Sequence, residues 1–319
     1  MKPSAWLIVL AVPASLLWAL WQGSVDIPAR DLLSALGGGG DEVTREIVWG
    51  LRAPRALSAF VCGALLALAG ALLQVLLRNP LADPFILGVS GGASVGALAA
   101  MLAGAALALQ HLFALAGAAL AAAAIFAFSL RPSGWNAYRV VLAGAALSAG
   151  FGAIVSLLLT LAPAAQVQGM LFWLLGDLSG AKDPLAAWVV LALAALAAQT
   201  QAASLDILTL GEDKARSLAV AVTSVQTLVF VAAAAATMAA VLLGGALGFV
   251  GLVVPHLLRL VGYYGHRALL PLSVALGGSF LAAADALARS VAAPIELPAG
   301  VVTALIGVPT LLYLLLKLR

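Results

Sequence analysis

Two uninterrupted apolar stretches constrain this chain more than any other feature of its sequence. Residues 84–130 carry no acidic or basic side chain apart from His111, and residues 217–258 carry no Asp, Glu, Lys or Arg. About 20 residues of helix cross a bilayer, so each stretch is long enough for two crossings. Of the 319 residues only 9% are charged, against about 25% in soluble domains. Because the apolar runs are continuous rather than alternating, the sequence predicts an all-α polytopic membrane protein and not a barrel.

The charge-poor segments predict ten transmembrane helices in a single domain, residues 1–319. We place the break of the first long stretch at Gln110-His111 and that of the second at Gly244, Gly245 and Gly248. The predicted spans are one within Lys2–Asp26 centred on Trp6–Trp21, Ala56–Leu77, the two halves of Pro84–Leu130, Val140–Leu161, Pro184–Ala203, the two halves of Ser217–Leu258, Ala268–Leu287 and Leu297–Leu316. The first span has no A-x-A-like site leading into a soluble domain, so we expect it to be retained.

The charges between spans predict the orientation. Ten spans leave both termini on one side, and that side collects ten Lys or Arg against four Asp or Glu. The other side collects six against nine. The positive-inside rule therefore predicts cytoplasmic termini. The basic balance follows from this topology, and nothing in it indicates a nucleic-acid partner.

The polar residues argue against an enzyme. The chain has no G-x-x-x-x-G-K-[ST], H-E-x-x-H or G-x-S-x-G motif, and we predict no cofactor and no metal site. His111, His256 and His266 fall near span ends, where we expect them to be solvated or to cap helices. Cys62 is the only cysteine and is interpreted as a small packing residue. No carboxylate is predicted at mid-span, which disfavours the alternative of an ion-coupled secondary transporter acting without an ATPase.

Two polar segments and one charge pair remain open to a functional interpretation. Residues 78–84 (RNPLADP), here called the knot, are a short polar segment between two apolar runs. Their two prolines rule out a continuous helix through the segment. Residues 204–218, here called the coupling segment, read as two short helices interrupted by Gly211, either an ordinary interfacial loop or a docking element. Asp285 and Arg289 are four residues apart, so they pair on a helix or leave Arg289 free for function.

Several short sequence motifs, in their order along the chain, resemble those of the FecCD family of iron-chelate and cobalamin importer permeases. They are Leu51-Arg52-Ala53-Pro54-Arg55, Ala69–Gln74 (AGALLQ), the RNPLADP knot with LGVSGGA, Gly211-Glu212 with Ala215, Gly248–His256 (GFVGLVVPH) with Arg259-Leu260, His266-Arg267, Leu269-Leu270-Pro271, Ala284-Asp285, Glu296–Thr303 (ELPAGVVT) and Gly307-Val308-Pro309. The resemblance runs nearly end to end and is weakest over the first 45 residues.

The resemblance implies the type II ABC importer permease architecture in a bacterial cytoplasmic membrane. It implies a homodimer with the path on its two-fold axis, two cytoplasmic ABC ATPase subunits that hydrolyse ATP in place of this chain, and a periplasmic or lipid-anchored binding protein. The residues it assigns to ATPase coupling are Leu210, Gly211, Glu212, Ala215 and Leu218. Those assigned to binding-protein docking are Arg52, Arg55 and Arg289, since arginine suits bidentate carboxylate recognition.

The resemblance also implies a gate at Asn136, Ala137 and Tyr138, and a path lined by span five, with Ser148, Ser156 and Thr160 as its polar side chains. The cargo it implies is a ferric siderophore, cobalamin or haem, of which haem is least favoured because span five carries no arginine pair for propionates. One position departs from the family pattern: Ala219 stands where the family usually has glycine. Alanine fits there if the backbone stays helical.

Overall fold

The computed structural model describes residues 3–131, 134–181 and 183–317, and nearly all of them are helical. The elements in chain order are α1 (Pro3–Trp21), α2 (Ala29–Leu36), α3 (Glu42–Glu46), a π-helical segment (Ile47–Arg52), α4 (Ala53–Leu76), a 3-10 turn (Pro84–Leu87), α5 (Val89–Leu102), α6 (Leu107–Ser129), β1 (Leu130–Arg131), β2 (Gly134–Trp135), α7 (Ala137–Leu161), α8 (Ala164–Leu175), α9 (Leu185–Thr200), α10 (Ala202–Leu208), α11 (Glu212–Ser217), α12 (Val222–Gly244), α13 (Val250–Leu260), α14 (His266–Ser290) and α15 (Ala299–Lys317).

The all-α fold is confirmed, and each of the ten predicted spans coincides with an apolar helix. Within the described residues, six helices are individually long and apolar enough to cross a membrane, and α9 with α10, bent by 62°, adds a seventh. The helices α5 and α13 are shorter. The short apolar helix α8 and the antiparallel β1–β2 hairpin were not predicted.

The predicted break at Gln110-His111 is wrong, because α5 ends at Leu102 and α6 begins at Leu107. The cause is Gly104, whose φ of +67° is available to glycine without strain. Its N–H donates to Met101 O and the Ala105 N–H to Ala100 O, which closes α5 as a Schellman motif. The predicted glycine break in the second stretch is confirmed, since α12 ends at Gly244 and α13 begins at Val250.

Helix α4 is the centre of the molecule. Every residue from Ser58 to Leu76 is buried, as expected for a helix that is apolar on all sides. Its most extensive partner is α14, followed by α12 and α13. Small residues permit this packing: a Cβ added at Gly70 would lie 1.8 Å from the Gly251 carbonyl oxygen of α13.

Because α4 has 24 residues, its two ends are about 36 Å apart. One end carries Arg52 and Arg55, close to the end of α14 that carries Asp285 and Arg289. The opposite end leads into the knot and the coupling segment. The helix pair α4 and α14 therefore extends from an arginine face to a coupling face.

Candidate functional site

At the arginine face, Arg55 lies between two carboxylates. Its Nε and NH2 donate to both oxygens of Asp285 at 3.0–3.2 Å, and its NH1 donates to Glu296 Oε2 at 2.7 Å. The Asp285 side chain is 1% exposed, whereas that of Glu296 is 33% exposed. Arg55 thus has one buried, bidentate partner and one partner that reaches solvent.

The Asp285–Arg289 pair left open by the sequence does form, with Arg289 Nε 3.2 Å from Asp285 Oδ2. The rest of the Arg289 guanidinium holds α1, donating to the carbonyl oxygens of Ala19 and Gln22 at 3.1 Å. The Asp285 carboxylate and the two arginines compensate one another's charges. This matters because an unpaired buried charge is costly.

Arg52 also holds α1. Its NH1 donates to Leu20 O at 2.9 Å and Trp21 O at 2.7 Å, and its NH2 donates to Val25 O. Two arginines therefore satisfy carbonyl groups at the C-terminus of α1, where the helix dipole favours positive charge. Both guanidinium groups are buried and occupied within the chain, so the docking role of Arg52 and Arg289 stays a prediction.

A cavity of about 320 Å³ opens beside these groups. Its charged lining residues are Arg52, Arg55, Arg289 and Glu296. Among the charged residues that line the cavity, three arginines are present with one carboxylate, that of the partly exposed Glu296.

At the coupling face, the two short helices predicted for the coupling segment are present as α10 and α11. Gly211 separates them at φ +110°, a conformation that residues with side chains rarely adopt. Asp206 of α10 anchors the segment to α14: its Oδ1 accepts the backbone N–H of His266 at 2.9 Å and lies 2.5 Å from His266 Nδ1. The coupling segment is thereby held at the start of α14.

The predicted coupling residues divide into two groups. Leu210 and Leu218 are 59% and 58% exposed, so both leave apolar surface open at this face. Ala215 is fully buried, and Glu212 points towards α4 and α12, where Arg78 and Gln226 donate to its Oε1. The two leucines are therefore the exposed apolar members of this group, and their coupling role stays a prediction.

Ala219 does not stay helical. Its φ is +59°, and it ends α11 in a Schellman motif, with Ala219 N–H donating to Arg216 O and Val220 N–H to Ala215 O. Glycine is the residue favoured at this position because it has no Cβ. The condition under which alanine would fit, a helical backbone, is therefore not met.

We expect Ala219→Gly to stabilise the protein by about 1 kcal/mol, since the left-handed conformation costs an alanine roughly that much. The matched control is Ala221→Gly, where φ is −73° and no gain is expected. The free energy of unfolding, measured by SDS titration in mixed micelles, checks both. Equal changes for the two variants would contradict the interpretation.

The predicted gate residues lie where the β1–β2 hairpin enters α7. Asn136 caps α7 by accepting the Arg139 N–H at 3.1 Å, and Tyr138 is exposed. The hairpin is held by Trp135, which packs against Phe126 and Phe230 and donates from Nε1 to Thr227 Oγ1. The structure thus places Asn136, Ala137 and Tyr138 together at one helix N-terminus.

The predicted path residues share the exposed side of α7, of which only Val140 and Gly144 are buried. Ser148, Ser156 and Thr160 are all exposed. The Ser156 and Thr160 hydroxyls donate to carbonyl oxygens one turn earlier in the same helix, at 2.9 and 2.8 Å. They therefore remain satisfied whether the helix faces lipid, water or protein.

Sequence reasoning missed Gln74, which joins three segments. Its Nε2 donates to the carbonyl oxygens of Ala82 in the knot and of Gly251 and Leu252 in α13, at 3.3–3.4 Å, and its Oε1 accepts from Arg259. A lone glutamine inside an apolar span was the available signal.

In the adjoining knot, burial raises the pKa of Asp83 to about 6, opposed by the hydrogen bond from the Phe85 N–H.

The histidine prediction holds in part. His111 is exposed, as expected, but His266 is buried, and its ring pairs with Asp206 rather than capping a helix. His256 was expected to be solvated or capping, and this is wrong, since it is buried with no hydrogen-bond partner among the described residues. No group of three His, Cys, Asp or Glu suited to a metal occurs in the described part of the chain.

The structure thus combines a central apolar helix, charged contacts at both of its ends and a short pair of helices beside one end. The FecCD transport family model matches residues 9–317. The chain belongs to the FecCD transport family, in the class of ABC importer permeases, which work with an ATPase and a binding protein and are not themselves catalytic.

Three similar proteins support this assignment. The vitamin B12 import system permease protein BtuC of Klebsiella pneumoniae is 36% identical over 98% of this chain and 93% of the relative. The cobalamin import system permease protein BtuC of Halobacterium salinarum is 40% identical over 86% of this chain and 74% of the relative. A solved structure described as an inward-facing metal-chelate type ABC transporter superposes with a TM-score of 0.88 at 28% identity, covering both chains fully.

Proposed function

We propose that this chain is the permease of an importer that moves a metal chelate, a ferric siderophore, cobalamin or haem, across the bacterial cytoplasmic membrane by alternating access. The near-complete superposition on a metal-chelate type transporter carries the proposal, and the cobalamin permeases among its relatives support it. Both termini would be cytoplasmic, as the distribution of Lys and Arg predicts.

The proposed assembly has two copies of this chain, two ATPase subunits and one periplasmic or lipid-anchored binding protein. The exposed side of α7, with its small and hydroxyl-bearing residues, supports a path between two copies. Exposed Leu210 and Leu218 support the coupling segment as the contact for an ATPase. The mass of the solubilised complex tests the stoichiometry, and one permease copy per complex would contradict it.

A transport assay tests the function. The chain is reconstituted in liposomes with its ATPase and binding protein, and ATP-dependent uptake of labelled cobalamin, haem and a ferric siderophore is compared. Glu212→Lys, which reverses the charge facing Arg78 and Gln226, is expected to abolish uptake. Uptake driven by a pH or sodium gradient without ATP would contradict the proposal and identify a secondary carrier.

Docking of the binding protein is proposed to use Arg55. A carboxylate of the binding protein would replace Glu296, the more exposed of the two Arg55 partners, while Asp285 keeps the guanidinium in place. Such charge-assisted pairs are strong when bidentate. Arg52 and Arg289 would contribute positive potential to the cavity while they hold α1.

We expect Glu296→Gln to tighten binding-protein affinity by about 3-fold, because it removes the internal competitor. Arg55→Lys, which keeps a cation beside Asp285 but loses the planar fork, is expected to weaken affinity by about 10-fold. Binding to the reconstituted permease, measured by biolayer interferometry at two salt concentrations, checks both. Weaker binding by Glu296→Gln would show that Glu296 itself contacts the partner and would contradict this docking mode.

A further inference from the structure

Arg78 has a backbone conformation that its residue type disfavours. Its φ is +48°, and it directly follows Leu77, the residue that caps the C-terminus of α4. The Arg78 N–H donates to Val75 O and the Asn79 N–H to Gln74 O, both at 3.1 Å. This is the Schellman position that glycine normally occupies. Strain of this kind persists only where surrounding contacts compensate it, and it concentrates at functional sites.

The compensating contact joins Arg78 to the coupling segment. Arg78 NH2 donates to Glu212 Oε1 at 2.6 Å, and Gln226 Nε2 donates to the same oxygen at 3.1 Å. Glu212 is the first residue of α11, Arg78 lies two residues beyond the end of α4, and Gln226 belongs to α12. One carboxylate therefore connects the coupling segment to two central helices.

The direction of the Glu212 side chain separates it from the partner-facing leucines. Its exposed fraction is 25%, against 59% for Leu210 and 58% for Leu218. A partner that presses on the two leucines would move α11, and the movement would reach α4 through Glu212 and Arg78. Because α4 is packed on all sides and carries Arg55 at its other end, it is the element through which both faces meet.

We propose that Arg78 is a positioning residue that joins the coupling segment to α4 through Glu212, so that ATPase movement is converted into permease rearrangement. The proposal rests on the proposed importer function. In this proposal the Arg78–Glu212 ion pair is a link inside the permease, whereas Leu210 and Leu218 form the contact with the ATPase.

Arg78→Gly separates this role from a merely structural one. Glycine relaxes the left-handed backbone while the guanidinium is lost, so the apparent Tm is expected to stay equal or rise. The number of cargo molecules transported per ATP hydrolysed is expected to fall at least 5-fold in proteoliposomes of the full complex. The control is Arg267→Ala, which removes an exposed arginine at the same face and is expected to leave this ratio unchanged.

A charge exchange supplies the second test. Arg78→Glu and Glu212→Arg are each expected to uncouple transport, and the double variant is expected to recover at least half of the wild-type ratio. If the double variant does not recover this ratio, the proposed Arg78–Glu212 link is contradicted. A wild-type ratio in Arg78→Gly would contradict the link as well. Loss of the ATPase from the purified Arg78→Gly complex would also contradict it, because Arg78 would then belong to the ATPase contact. Failure of the wild-type complex to transport with ATP would instead refute the importer function.

Discussion

Replacement of Asp285 by asparagine is expected to lower the free energy of unfolding by about 3–5 kcal/mol. The Asp285 carboxylate is fully buried and pairs with Arg55 at 3.0 Å and with Arg289 at 3.2 Å. Asparagine keeps the shape of the side chain but removes the charge, so two buried guanidinium groups lose their shared counterion. SDS titration in mixed micelles measures the loss.

Glu296→Gln is the matched control for Asp285→Asn. Both variants remove one negative charge from the same arginine, but Glu296 is partly exposed, so water and the remaining Asp285 compensate. We expect a change below about 1 kcal/mol, the value typical of exposed ion pairs. If both variants lose the same stability, burial of Asp285 is not what makes the pair important. A large loss for Asp285→Asn alone would show that α1, α4 and α14 depend on this one carboxylate.

Gly70→Ala is expected to destabilise the protein by about 3 kcal/mol or to prevent folding. The added Cβ would lie 1.8 Å from the Gly251 carbonyl oxygen and 2.4 Å from its carbon. Both are backbone atoms, so α4 and α13 must separate to accommodate it. Separation would also strain the bonds from Gln74 to α13, one turn further along.

Gly169→Ala in α8 is the control for the Gly70 variant, since a Cβ there meets no atom within 4 Å. We expect it to be neutral or slightly stabilising, because alanine is the better helix former. The yield of monodisperse protein in fluorescence-detected size exclusion, followed by SDS titration, compares the two. Normal folding of Gly70→Ala would mean that the α4–α13 contact is not as close as described.

Local sequence signals predicted much of the helical architecture. Long apolar runs predicted the membrane helices, and the glycines at 244, 245 and 248 predicted the end of α12. Gly211 correctly separated the two short helices of the coupling segment. The break between α5 and α6 was misplaced because Gln110 and His111 look polar in the sequence, whereas Gly104 supplies the conformation that ends the helix. Gln110 instead lies inside α6 and bonds back to Ala105 O.

The residues of the candidate sites could be predicted from the sequence, but the contacts that these residues make could not. Arg52, Arg55 and Arg289 formed one group in the resemblance, yet Arg52 and Arg289 hold the C-terminus of α1, whereas Arg55 pairs with the partly exposed side chain of Glu296. Ala219 and Arg78 both adopt left-handed backbone, which no propensity of alanine or arginine predicts. Their conformations follow from how α11 and α4 must end to meet their neighbours.

Composition and charge distribution by themselves determined that this chain is a multi-pass helical membrane protein, because the bilayer admits apolar helices whose backbone groups are paired internally. Only the tertiary structure decided which polar groups meet. Arg55 and Asp285 are 230 residues apart in the chain, and Arg78 and Glu212 are 134 apart. Contacts across such separations depend on how closely α4 packs with α14 and α13, and that follows from the shapes of whole helix surfaces rather than from any local pattern.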